Sequence, residues 1–176
     1  MIIISNNIKG RMPVPDDAII RVNMAWIKTF EELDTVVKNI KGQIFLDFPK
    51  GRTKPPKPIL KIEDALVIMQ KYNNIKYFAI SNAEDVATML YLRKTIPEKI
   101  MIVPKIETLL GINNFDCLIK SAKTNIVMLD KEDLYLDVKK QNSMFEILVQ
   151  KIRKVCKRKN IKLLELQGVI FEERKK

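Results

Sequence analysis

Residues 99–134 read KIMIVPKIETLLGINNFDCLIKSAKTNIVMLDKEDL, and this stretch decides the fold of the chain. It contains two apolar runs, Ile100–Val103 and Ile126–Leu129, and charged side chains follow each of them closely. A helical segment joins the two runs. Two strands connected by a helix form a βαβ unit, and α/β folds keep their active sites at the carboxyl ends of such strands.

The same alternation of apolar run and helical segment continues along the chain. We predict seven strands, at Ile2–Ser5, Ala18–Met24, Gln43–Phe48, Lys76–Ser81, Ile100–Val103, Ile126–Leu129 and Ile161–Leu166. We predict helices from the N-cap Thr29 to Gly42, over Ile62–Tyr72, from the N-cap Asn82 to Thr95, between the fifth and sixth strands, and over Ser143–Lys159. Strands that are buried throughout, in strict order with helices, indicate a parallel sheet with right-handed crossovers.

The spacing of the strands is that of a (β/α)8 barrel, because they recur roughly every 25 residues. Only about seven strands are found, and the helix expected between the first two is missing. We therefore predict an α/β fold, a short or incomplete (β/α)8 TIM barrel, with an open α/β sheet as the alternative. Residues 1–176 would form one domain, in which the Pro-rich segment 49–58 is a basic, hinge-like bridge. Because an exposed sheet edge is a liability, we expect a homo-oligomer that covers it.

Composition excludes several kinds of site. The chain has no histidine, which excludes His-based acid/base catalysis, Ser-His-Asp triads and the usual zinc sites. Its two cysteines, Cys117 and Cys156, fall in predicted helices without metal-ligand spacing. The N-terminal run does not have the pattern of a signal peptide, and no apolar run is long enough to span a membrane. We therefore expect a cytoplasmic protein without a membrane partner.

The net charge of +11 invites a nucleic-acid interpretation. However, the lysines are spread along the whole chain, and aromatic stacking platforms are lacking. An anionic small-molecule substrate would favour the same positive field. We therefore expect an anionic small molecule, and no nucleic acid, as the partner of this chain.

Charged residues at two neighbouring strand ends could form a metal site. Lys105 and Glu107 are two residues apart and point the same way, and Asp133 or Glu132 would lie beside them. Two carboxylates with water suit Mg²⁺ or Mn²⁺, and a lysine alongside can neutralise a phosphoryl group or an enolate oxygen. Arg21 would bind a carboxylate or phosphate through its planar fork. Such residues also solubilise loops, so both interpretations stay open at this point.

Several segments, in the same order along the chain, carry a resemblance to a known family. KIE at Lys105, GINNFD after it and DL at Asp133 are similar to K-I-E, G-V-x-x-F-D-E-I and R-G-D-L of pyruvate kinases. RVNMAWIKTFEEL, IFLDFPKGRTK and EDALVIMQKYNNIKYFAISNAEDVATMLYLRK resemble that family's A-R-L-N-F-S-H-G-x-x-E-E, L-D-T-K-G-P-E-I-R and E-D-I…D-Y-I-A-x-S-F-V-R-S-A-E-D-V. The resemblance to the pyruvate kinase barrel covers nearly all of residues 19–166. The citrate-lyase and hydroxy-acid aldolase family has a similar I-E-T…E-D-L pairing, so the resemblance extends to the phosphoenolpyruvate/pyruvate superfamily.

The resemblance implies a role for each matching residue. It implies catalytic and substrate-binding Lys105, substrate-binding Arg21 and Asn23, and Mg²⁺ or Mn²⁺ ligands Glu107 and Asp133. Glu132 stays the alternative to Asp133, because an insertion near Lys123 shifts the count by one.

The chain also departs from the pyruvate kinase pattern. Ala25-Trp26 replaces the family's Ser-His, and Phe48 replaces the threonine beside Asp47. Only TKPPKP follows Arg52, where the lid domain would be inserted, and LLELQGV lacks the proton-donating threonine. The resemblance does not extend to the family's C-terminal domain.

Two functions therefore remain. The first is an enzyme that acts on a 2-oxo acid or an enol phosphate, such as pyruvate or phosphoenolpyruvate, by lyase, aldolase or phosphotransfer chemistry. The second is a catalytically degenerate homologue that acts as a binding or regulatory protein.

Overall fold

The strands form one parallel sheet in which they follow each other in sequence order. A computed structural model of the chain describes residues 3–5 and 17–165. Its strands are β1 (Ile3–Ser5), β2 (Ile19–Asn23), β3 (Ile44–Phe48), β4 (Ile75–Ile80), β5 (Met101–Ile106), β6 (Ile126–Leu129) and β7 (Lys162–Glu165). Within the described residues β1 and β7 are the two edges of the sheet. The predicted incomplete barrel of about seven parallel strands is confirmed.

Helices connect the strands and pack against one face of the sheet. They are α1 (Phe30–Lys38), α2 (Ile62–Lys71), α3 (Val86–Thr95), α4 (Leu109–Asn113), α5 (Phe115–Ala122), α6 (Lys131–Asp137) and α7 (Asn142–Arg158), with a 3₁₀ turn at Met24–Trp26. None of these helices combines the length and the apolar character needed to cross a bilayer. The predicted strand residues Ile2 and Leu166 lie outside the described residues, as does the segment between β1 and Asp17.

The central strands β3, β5 and β6 are buried on both faces, which explains why they read as continuous apolar runs. Side chains such as Leu46, Phe78 and Ile102 belong to the large core shared with the helices. The alternate side chains form a second apolar cluster on the other face of the sheet, namely Ile19, Phe45, Ala79, Val103, Ile126 and Met128. This second cluster therefore lies on the face of the sheet opposite the helices.

Two N-cap residues were predicted from the sequence, and the structure confirms one of them. The predicted N-cap Thr29 is confirmed, because its hydroxyl accepts a hydrogen bond from the Glu32 amide at 3.2 Å. The predicted N-cap Asn82 is wrong, because Asp85 caps α3 by accepting bonds from Ala87 and Thr88. Asn82 instead takes a left-handed conformation with φ of 48°.

The connection between β5 and β6 also differs from the expectation of one helix. It forms two helices that meet at Asn114, whose side-chain amide donates to the Glu84 carbonyl at 2.8 Å. A further helix, α6, follows β6 directly and was not predicted. Asp130 caps it by accepting a hydrogen bond from the Asp133 amide at 3.3 Å.

Candidate metal and anion site

Polar side chains replace apolar ones where the inward-facing positions reach the carboxyl ends of the strands. In β2 Arg21 and Asn23 follow Ile19, and in β3 Asp47 follows Phe45 at the next inward position. The same change from apolar to polar occurs in β4, β5 and β6, where the polar residues are Ser81, Lys105, Glu107 and Asp130. These side chains line a pocket of about 530 Å³.

Lys105 lies at the centre of the polar layer and is only 5% exposed. Its Nζ donates to Ser81 Oγ at 2.9 Å, and it lies 2.8 Å from Glu107 Oε1 and 3.8 Å from Asp47 Oδ1. Burial disfavours the charged ammonium, but the two carboxylates outweigh it and raise the pKa of Lys105 above its ordinary value. Lys105 is therefore a fixed positive charge.

Glu107 is also buried, and its two oxygens have different environments. Oε2 accepts a hydrogen bond from the Asn82 amide at 2.7 Å. Oε1 accepts no hydrogen bond of good geometry from the described residues, although Lys105 Nζ lies close to it. Burial raises the pKa of this carboxyl, and the charge of Lys105 opposes that shift only in part. A buried oxygen with spare acceptor capacity, facing a pocket, can bind a ligand.

Arg21 is held in place by Asp47. Its Nε donates to Asp47 Oδ2 at 2.8 Å, and its Nη2 donates to the same oxygen. Asp47 is 2% exposed, and within the described residues its other oxygen accepts no hydrogen bond. Arg21 keeps a terminal nitrogen, Nη1, that makes no hydrogen bond to the described residues, and the side chain lines the pocket. Its orientation is consistent with an anion-binding role.

Three carboxylates lie close enough to share one cation. One oxygen from each of Glu107, Asp130 and Asp133 lies within 4.8 Å of the others. The structure thus brings the predicted ligands Glu107 and Asp133 together and adds Asp130 to them. The alternative ligand Glu132 is exposed and does not line the pocket.

Asn23 contributes to the wall of the pocket beside Arg21. Its Oδ1 accepts a hydrogen bond from the Ala25 amide at 3.0 Å and so caps the 3₁₀ turn that follows β2. This turn contains Ala25 and Trp26, which stand in place of the Ser-His of pyruvate kinases. Ala25 is buried, whereas Trp26 is 54% exposed.

Sequence reasoning missed several residues of the pocket, among them Asp130, Ser81 and Lys54. Asp130 could have been found, because a carboxylate directly after a buried strand is both a helix cap and a candidate ligand. Ser81 ends the fourth predicted strand, but nothing in the sequence indicates its contact with Lys105. Lys54 lies in the Pro-rich segment and donates to Asp133 Oδ1 at 2.6 Å, across 79 positions of sequence.

Comparisons with known proteins find the fold but no family. No family model matches the chain, and no curated protein matches it. A crystal structure of citrate synthase SbnG matches with a TM-score of 0.62 at 13% identity, over 86% of this chain and 68% of that one. Macrophomate synthase matches with a TM-score of 0.63 at 14% identity, over 85% of this chain and 62% of that one. The chain shares the fold of these two synthases. At such identities the likeness shows the fold alone, and the resemblance to pyruvate kinase stays a prediction.

Proposed function

We propose that the pocket binds Mg²⁺ or Mn²⁺ together with a 2-oxo acid or an enol phosphate such as pyruvate or phosphoenolpyruvate. The proposed chemistry is that of a lyase or aldolase, or a phosphotransfer. The observation that carries the proposal is the cluster of Glu107, Asp130 and Asp133 beside the buried ammonium of Lys105, at the carboxyl edge of the sheet. The two structural matches are both named as synthases, which supports the proposal of an enzyme.

The donor set fits a hard divalent cation. It consists of oxygen atoms alone, which Mg²⁺ and Mn²⁺ prefer, and the described part of the pocket contains neither sulfur nor histidine. Glu107 Oε1 is buried and accepts no hydrogen bond of good geometry from the described residues, so it has acceptor capacity for a cation. Glu107, Asp130 and Asp133 would hold the ion. Such an ion polarises a bound carbonyl and stabilises negative charge on its oxygen.

Charge balance supports binding of an anion after a metal. Four cationic and five anionic side chains line the pocket: Arg21, Arg52, Lys54 and Lys105 against Asp47, Glu107, Asp130, Asp133 and Asp137. The formal charge of the lining is therefore −1, and a dication would make it +1. We expect the anionic substrate to bind well only when the metal is present.

The chain's own cations would orient the substrate. Lys105 is the proposed catalytic residue, because its protonated Nζ can donate to an oxygen on which negative charge develops. Arg21 would bind the carboxylate or phosphate through the nitrogen that Asp47 leaves free. Asn23 lies next to it and would contact the same group. Asp47 acts through Arg21 by holding the guanidinium in one orientation.

A binding or regulatory protein is the second candidate, and the state of Lys105 favours it. Because two carboxylates raise the pKa of Lys105, this lysine cannot accept a proton from a substrate near neutral pH. A fixed ammonium is sufficient for a protein that only binds 2-oxo acids. Proton NMR of pyruvate in D₂O separates the two candidates. Exchange of the methyl protons with Mn²⁺ and protein would support the enzyme, and binding without exchange would support the second candidate.

Thermal unfolding tests the proposed site itself. We expect Mn²⁺ at roughly 100 times its Kd to raise the melting temperature by about 5–10 °C, and oxalate or phosphoenolpyruvate to raise it further. Glu107→Gln should abolish both shifts. Glu98→Gln, at an exposed position before β5, is the matched control and should retain them. If neither ligand produces a shift in the wild-type protein, the proposed function is wrong.

A further inference from the structure

The Pro-rich segment 49–58, here called the strap, connects β3 to α2 and forms one wall of the pocket. Asn82 holds its beginning by donating from Nδ2 to the Lys50 carbonyl at 2.8 Å. Gly51 is in the left-handed region with φ of 68°, and a Cβ there would lie 3.1 Å from the same Asn82 nitrogen. A glycine at this position therefore lets the strap pack against Asn82.

The far end of the strap is held by its own arginine. Arg52 donates from Nε to the Pro56 carbonyl at 3.0 Å and from Nη2 to the Pro55 carbonyl at 2.8 Å. Two N–H groups of Arg52 are thus used within the strap, although Arg52 also lines the pocket. Lys54 is the strap residue that forms an ion pair across the pocket.

Lys54 reaches from the strap to the opposite wall. Its Nζ lies 2.6 Å from Asp133 Oδ1, and Asp133 belongs to the cluster proposed to hold the metal. The ammonium thus neutralises part of a cluster that otherwise brings three carboxylates together.

We propose that Lys54 is a built-in competitor for the divalent cation, so that metal binding releases the strap from α6. This inference rests on the proposed metal site. A carboxylate oxygen at 2.6 Å from an ammonium cannot face a metal ion in the same orientation without bringing two positive charges close together. A metal ion that takes this Oδ1 of Asp133 therefore displaces Lys54 from it. The ion pair is partly exposed, with the Lys54 side chain 43% accessible, so it is weak enough to be displaced.

Release would change the pocket in two ways. The wall formed by the strap would be free to move away from α6, which opens the path for a substrate. The ammonium of Lys54 would also become available to an anionic group of the substrate. The strap therefore couples metal binding to substrate entry through one side chain.

Calorimetric titration of Mn²⁺ into Lys54→Gln tests the competition. We expect Kd to fall about three- to tenfold relative to the wild type, because the variant lacks both the competitor and its repulsion. Lys57→Gln is the matched control. It removes the same charge from the same strap, at an exposed residue that does not line the pocket, and should leave Kd unchanged within about twofold.

The possible results separate this inference from the proposed function. Unchanged or weaker binding in Lys54→Gln, with clear binding in the wild type, would overturn the competition and leave the metal site standing. Absence of binding in both proteins would overturn the metal site and the competition together.

Lysine acylation gives a second readout that does not depend on a variant. A short pulse of acetic anhydride followed by mass spectrometry measures how accessible each amine is. We expect Mn²⁺ to increase labelling of Lys54 at least about twofold while labelling of Lys57 stays constant. Equal labelling of Lys54 with and without Mn²⁺, at a concentration that saturates the site in calorimetry, would contradict release of the strap.

Discussion

Lys105 is held by three side chains that are themselves buried, namely Ser81, Glu107 and Asp47. A buried charge is tolerated only when it is paired and hydrogen-bonded. The ammonium and the two carboxylates therefore stabilise one another, and removal of the ammonium leaves Glu107 as a buried charge without a cation. The candidate functional site therefore also contributes to the stability of the folded protein.

Replacement of Lys105 by methionine should destabilise the protein strongly. The change keeps the length of the side chain but leaves the buried carboxylate of Glu107 without its cation, and Asp47 keeps only Arg21. We expect the free energy of unfolding, measured in urea, to fall by about 3–5 kcal/mol. Lys99→Met, at an exposed position before β5, is the control. A loss below about 1 kcal/mol for Lys105→Met would show that the ammonium does not compensate buried charge.

The two cysteines should differ in reactivity. Cys156 is buried in α7, and burial raises the pKa of its thiol to about 11, whereas Cys117 in α5 is exposed. The thiolate is the nucleophile in this reaction. At about pH 8 we therefore expect a disulfide reagent to modify Cys117 rapidly and Cys156 slowly in the folded protein. Both thiols should react in guanidinium chloride. Rapid modification of a thiol in folded Cys117→Ser would contradict the burial of Cys156.

At the scale of elements, α3 depends on the cap that Asp85 provides. The carboxylate accepts hydrogen bonds from the amides of Ala87 and Thr88 and from the Thr88 hydroxyl, and the hydroxyl bond contributes most to lowering the pKa of Asp85. The pKa of Asp85 in the folded protein is below its ordinary value of 3.8. The charged cap therefore stabilises the protein fully at pH values above 3.8. It is lost as the pH falls through the lower, folded pKa.

Asp85→Ala should therefore be destabilising in a pH-dependent way. We expect its melting temperature at pH 7 to be about 2–4 °C below that of the wild type. The difference should shrink as the pH falls through the pKa of Asp85, because the wild type then loses the same interaction. Asp85→Asn, which keeps an acceptor oxygen, should show a smaller loss at pH 7. A deficit that stays constant down to acid pH would exclude a role for the charge.

Strands could be predicted from the sequence more reliably than their ends. Each apolar run in the described residues became a strand, because buried parallel strands need such runs. The fifth strand was expected to end at Val103, where its apolar run ends. It continues through Ile106, because Lys105 and Ile106 pair with β6. Lys105 is thus fixed within the sheet, a more rigid position than a loop would give.

The candidate site was predictable only where it depends on local geometry. Lys105 and Glu107 share a direction because side chains in a strand alternate, so their proximity follows from spacing. The helix α6 was missed because it is short and its first turn consists of charged residues that also suit a loop. Without α6, the positions of Asp130 and Asp133 relative to each other could not be derived. The contact of Lys54 with Asp133 depends on the tertiary course of the strap.

At the scale of the whole molecule, the sheet has two edges where a closed barrel has none. Within residues 3–5 and 17–165, β1 and β7 each pair on one side only. Unpaired edges of parallel sheets are normally covered. We therefore still expect a second copy of the chain to cover the open side between β1 and β7. Sedimentation equilibrium should give twice the chain mass of 20.5 kDa. A single-chain mass at micromolar concentration would contradict this expectation.

The central claim is that one pocket takes a divalent metal and an anionic 2-oxo acid analogue in that order. Titration of oxalate into the protein by calorimetry tests it most directly, with and without saturating Mn²⁺. Because the metal changes the formal charge of the lining from −1 to +1, we expect oxalate to bind at least about tenfold more tightly when Mn²⁺ is present. The difference should disappear in Glu107→Gln and persist in Glu98→Gln. Equal oxalate affinity with and without Mn²⁺, or no binding in either case, would contradict the account.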